Sequence, residues 1–246
     1  MTPAQATALR DFRYTGRSFS FGLTLAVFLS VFGILFCRVL FASTPLELPL
    51  AAVWALAVAP CLPFFCALLT ARMFSAERAS GMIDIFFASP VSEYEMVAGK
   101  FGSSLALSVV ATLVTLLVPA FVLPRCVGEV SVAFEVGQYV CPLLALLMQC
   151  AFWCALGTMI SALCASVISA AAVSLLVCGI LPWAAYYAAL AWMPELRSQL
   201  AYPPMLQHVL DASAGLFPFG AFVGYPAGTA FFLFAASRLL AIERIR

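Results

Sequence analysis

The chain has 246 residues, of which 65% are hydrophobic and only 9% are charged, with a formal net charge of +1. Soluble domains carry roughly 45–50% apolar and about 25% charged residues, so a fold of this size in water would have to expose a largely apolar exterior. The composition excludes a soluble globular enzyme, a disordered chain and, for want of a basic field, a nucleic-acid binder.

Six continuous apolar runs approach or exceed the roughly 20 residues that a spanning helix needs. They are Phe19–Phe41, Pro49–Met73, Phe101–Pro124, Tyr139–Cys164, Val167–Met193 and Phe219–Leu240. Barrel strands would alternate instead. The expectation is an all-α polytopic membrane protein: one transmembrane domain over residues 1–246, six helices, both termini cytoplasmic. Basic residues support that orientation. Arg10, Arg13, Arg17, Arg72, Arg78, Lys100, Arg238, Arg244 and Arg246 fall on the inner side, against Arg38, Arg125 and Arg197 outside, as the positive-inside bias requires.

The segment 1–18 places Leu9 and Phe12 beside Arg10, Arg13 and Arg17, a pattern that suits a helix lying in the membrane interface. Two readings follow from it: a basic anchor, or a helix whose Leu9, Phe12 and Arg13 also touch a cytoplasmic partner. Pro60 and Pro63 predict a kink or local unwinding in the second span.

The cytoplasmic loop 72–100 is the only inner polar stretch long enough for further work. Gly81 can stop the helix that leaves the membrane. Met82–Ala88 is apolar apart from Asp84 and is framed by Gly81 and Pro90. Ser92 and Glu95 form a capping-box pair that restarts the chain as span three. A mere connector would not hold Ile83, Ile85, Phe86 and Phe87 in water. This short apolar helix must bury against membrane, self or a partner.

Spans four and five are separated by almost nothing and carry Gly157, Ser161, Ala162, Ala165, Ser169, Ala170, Ala171, Ala172 and Ser174, small residues that permit close helix approach. The outer segment 194–218 is apolar enough to predict a re-entrant or interface-lying hairpin before span six.

No carboxylate falls clearly within a span, which argues against an ion-coupled carrier. The single histidine, His208, has no second histidine or CxxC pair with which to hold a metal. No GxxxxGK[ST] occurs: Tyr94 stands where the first glycine would be and Phe101 follows Lys100. The chain cannot bind ATP through a P-loop of its own, and no catalytic residue is expected.

The loop sequence Glu77-Arg78-Ala-Ser-Gly81-Met82-Ile-Asp84, followed by Ser89-Pro90-Val-Ser92 and Gly99-Lys100, resembles the ABC-2 type transporter permeases, and within them the gliding-motility-type subfamily. His208, Gly215 and the ending Glu243-Arg244 are similar too. Met82 departs from the threonine usual there. The resemblance implies a type V exporter-like transmembrane domain that pairs with a second permease protomer, identical or not. It also implies cytoplasmic ATPase subunits that bind the ATP and magnesium, this chain holding no cofactor.

Met82, Ile83, Asp84, Ile85, Phe86, Phe87 and Ala88 would be the coupling helix, and Glu77, Arg78, Gly81 and Pro90 the rim of its contact. The implied activity is export across a bacterial inner membrane. The alternative is a mechanotransmitter acting on a periplasmic or envelope partner without solute transport.

Overall fold

The computed structural model describes residues 3–42, 49–82, 92–122, 136–192, 203–216 and 219–245, and all regular structure among them is helical. Six helices are long and apolar enough to cross a membrane: Phe19–Phe41, Leu50–Ala79, Glu93–Ala120, Gly137–Leu163, Val167–Trp192 and Phe219–Arg244. Their number matches the sequence expectation. The third begins earlier, because its capped first turns stand clear of the apolar run.

An N-terminal helix α1 (Pro3–Gly16) leads into α2 (Phe19–Ala42), the first span. The second span is built in pieces. Helix α3 (Leu50–Val58) stops at Pro60, which lacks an N–H for the ladder, and α4 (Leu62–Thr70) restarts with Pro63 in its first turn. After α4 the chain turns through residues 71–74 and closes with α5 (Ser75–Ala79). Gly81 follows at a φ of +70°, donating back to the Arg78 carbonyl. Only glycine adopts that left-handed terminus without strain.

Span three is α6 (Glu93–Thr115), opened by Ser92: its hydroxyl accepts from Glu95 N–H, and the Glu95 carboxylate accepts from Ser92 N–H. Span four is α7 (Val136–Leu163). After three intervening residues α8 (Val167–Ser174) begins, its first turn capped by the Ser166 hydroxyl, which accepts from Ser169 N–H. A wider π turn over Leu175–Ile180 continues span five into α9 (Leu181–Trp192). The outer helix α10 (Pro204–Ser213) precedes the last span, α11 (Phe219–Ile245).

Spans two and four form the centre. In span two 78% of the most apolar window is buried, against 17% in span one and 11% in span six. Trp54, Phe65, Leu62, Phe74 and Leu146 are wholly enclosed. The Phe28 and Phe65 rings stack with centroids 4.6 Å apart, and the Trp54 indole donates to the Thr115 hydroxyl at 3.0 Å. Helix α10 packs on α3 and α7 through Met205, Leu206, Val209 and Ala212. It lies within the segment expected to form an outer hairpin; residues 194–202 and 217–218 of that segment lie outside the described residues.

Small residues set the approach of spans two and four. A Cβ at Gly157 would lie 2.1 Å from Thr70 Oγ1 and 3.1 Å from Thr70 Cβ. Such overpacking costs about 1–3 kcal/mol. Gly157→Ala should lower the unfolding temperature in detergent, and Thr70→Ala in the same chain should recover part of the loss, since the hydroxyl is the nearer obstacle.

Candidate functional site at the inner end of span two

The break between α4 and α5 frees backbone groups in a buried setting, where each needs a partner. Two neighbouring spans supply them. Ser161 of α7 donates to the Ala71 carbonyl at 3.0 Å and accepts from Phe74 N–H at 3.1 Å and Ser75 N–H at 3.3 Å. Lys100 of α6 donates to the Met73 carbonyl at 2.8 Å, and its ammonium lies 5.1 Å from the centre of the Phe74 ring. A polar side chain from each of two spans thus holds the unwound turn open.

Lys100 is only 3% exposed. A buried ammonium demands counter-charge, and Glu77 provides it at 2.7 Å, with Asp11 at 3.4 Å. Arg10 closes the cluster, 2.8 Å from Asp11 and 3.5 Å from Glu77. One ionic group therefore ties α1, α5 and α6 together. Helix α1 packs along α6, which brings Asp11 within reach of Lys100. A cavity of about 150 Å³ opens beside the cluster, bordered by Tyr14, Ser18, Ser20, Thr24 and Arg72.

Arg78 faces the opposite way. Its guanidinium donates to the Ala162 and Cys164 carbonyls at 2.8 and 2.7 Å, the open end of α7, where a cation also meets the negative end of the helix dipole. It pairs with Glu243 near the end of α11 at 2.5 Å. Arg244, next in sequence, pairs with Glu93 at the start of α6 at 2.6 Å. The dipeptide Glu77-Arg78 thus joins the root of the inner loop to α1, α6, the α7–α8 turn and α11.

The charges of Glu77 and Arg78, expected at the rim of a partner contact, are engaged within the chain, because α5 ends among carbonyls and opposite charges from four other elements. Gly81 and Met82 are exposed at the tip of α5, Met82 by 47%. Ile83, Asp84, Ile85, Phe86, Phe87, Ala88 and Pro90 lie outside the described residues. On α1, Leu9 is exposed, while Phe12 and Arg13 border an apolar groove beside spans one and three.

Sequence reading missed Asp11, Lys100, Ser161 and Glu243 as members of the site. The available signal was scarcity. In a chain with 23 Asp, Glu, Lys and Arg residues in all, an inner lysine that follows an apolar turn of span three is a candidate for burial.

At the outer end, Gln149 of span four is fully buried, donating to the Met205 carbonyl at 2.7 Å and to Tyr225 Oη at 3.4 Å. Tyr225 lies 3.0 Å from His208 Nδ1. Partial burial lowers the His208 pKa from its ordinary 6.5, and Asp211 opposes this weakly. A folded state that resists protonation binds fewer protons than the unfolded one below that value, so stability is present above about pH 6.5 and declines as pH falls below it. Thermal unfolding in detergent between about pH 7.5 and about pH 5 should show this slope, and His208→Asn should flatten it.

Among the described residues no group of three histidine, cysteine or carboxylate side chains could hold a metal ion. No curated protein matches the chain. The family described as ABC-2 family transporter protein matches residues 5–222, a stretch that takes in α1, the ionic group around Lys100, the inner loop and the first five spans. With six membrane-length helices and this coverage, the chain belongs to the ABC-2 transporter family of multi-pass membrane proteins.

Proposed function

We propose that this chain is the permease subunit of an ATP-driven exporter, of the gliding-motility type, in a bacterial inner membrane. Separate cytoplasmic ATPase subunits hydrolyse ATP with magnesium and push on the apolar segment Met82–Ala88. Phe86 and Phe87 act there as the aromatic anchors that dominate interface energies. A second permease protomer completes the translocating unit, meeting this one through faces that spans one, five and six leave uncovered.

One observation carries this reading. Glu77 and Arg78, one turn before the segment, connect by ion pairs and carbonyl contacts to α1, α6, the α7–α8 turn and α11. A displacement at Met82 therefore reaches several spans at once, and the unwound turn at 71–74 is where the spanning part of span two can yield. Packed elements of this kind switch between arrangements rather than bend continuously. A transported ligand biases the cycle only through unequal affinity for the two arrangements.

Purification of the tagged full-length chain from its native membrane tests the reading. A nucleotide-hydrolysing subunit should accompany it and hydrolyse ATP in the complex. Isolation of the chain free of any ATPase, from membranes that retain its activity, would contradict it.

A further inference from the structure

We infer that the inner-leaflet groove between α1, span one and span three is a binding site for an anionic phospholipid. The groove encloses about 320 Å³. Phe21 and Leu25 of span one line one wall and Leu107, Val110 and Val114 of span three the other. Their spacings of three and four residues hold each set on one helix face. Arg13 and Arg17 stand at its mouth, four residues apart.

Charge complementarity selects the occupant. Arg10, Arg78, Lys100 and Arg244 on the same side each have a carboxylate partner, Arg72 donates to the Ser20 hydroxyl and Arg238 lies over the Phe234 ring. Arg13 and Arg17 are exposed and have no carboxylate within 4.0 Å among the described residues. Arg17 stands two residues before Phe19, where span one begins, and so lies at headgroup depth. The site is thus cationic at the headgroup and apolar below it, the two-part chemistry of a phosphate joined to an acyl chain. Guanidinium groups suit phosphate geometry. A free anion would use the mouth alone and leave the apolar walls unoccupied. A bound lipid would brace α1 from the membrane side, while Asp11 anchors the same helix to Lys100. This inference does not depend on the ATPase reading.

The test uses the purified full-length chain, delipidated in detergent. Native mass spectrometry follows retention of phosphatidylglycerol, of phosphatidylcholine with the same acyl chains, and of inorganic phosphate alone. Phosphatidylglycerol should be retained in preference to phosphatidylcholine, and inorganic phosphate should not displace it. Each juxtamembrane arginine contributes about fivefold to such binding, so Arg13→Gln with Arg17→Gln should weaken retention about 25-fold. Neither side chain has a carboxylate partner among the described residues, so the variant should remain folded. Arg72→Gln, which removes a contact to Ser20, should leave retention unchanged.

Equal retention of the two lipids, wild-type retention by the double variant, or full displacement by inorganic phosphate would overturn the proposal. So would efficient disulfide-linked dimers from Val110→Cys in native membranes, which would assign the groove to a second copy of the chain.

Discussion

Replacing Lys100 with methionine should destabilise the chain by about 3–5 kcal/mol, the cost of leaving buried charge without its partner. Glu77 is 2.7 Å from the ammonium and Asp11 3.4 Å, and the Lys100 and Glu77 side chains are only 4% and 15% exposed. Without the lysine, the two carboxylates keep only the half-exposed Arg10, and the Met73 carbonyl that Lys100 had satisfied loses its donor. Glu77→Leu alone should also destabilise, by leaving Lys100 with the more distant Asp11. Combined with Lys100→Met it should cost much less than the sum of the two, because an apolar pair of similar volume can replace a buried ion pair. Thermal unfolding in detergent of the four members of this cycle gives the coupling. Additive losses would mean that the two side chains do not interact. Function should separate from stability: if the ion pair transmits force from the inner loop, the double variant should fold yet lose ATP-dependent activity.

The second large effect is expected at the inner loop. Phe86→Asp with Phe87→Asp should abolish association with the ATPase subunit, since each change places a charge where an aromatic anchor would be enclosed. The permease should still reach the membrane and unfold at the wild-type temperature, because its described core lies in spans two and four. Co-purification from membranes, together with ATP turnover of whatever is recovered, checks both halves. Retained association with wild-type turnover would remove these residues from the contact.

The spans were legible in the sequence because length and apolarity dictate them. The stops were legible too. Proline at 60 and 63, glycine at 81 and the Ser92–Glu95 pair act through backbone chemistry within a few residues of their own position. The ionic group around Lys100 was not, for a physical reason. Asp11, Glu77 and Lys100 are brought together by the packing of α1 on α6 and by the break at 71–74, and neither is encoded locally. Glu77 and Arg78 were noticed as a motif, but their charges alone do not say whether they face a partner chain or this one. Ser161 was read as a small packing residue, and it is one. Its hydroxyl also completes three backbone contacts of span two, which no spacing in span four announces.

A photoreactive phenylalanine analogue placed at position 86 of the otherwise native complex tests the central claim most directly. Irradiation in membranes should join this chain to the nucleotide-hydrolysing subunit, with a yield that changes when ATP is bound. Cross-links to lipid alone, with the ATPase attached elsewhere on the permease, would contradict the account.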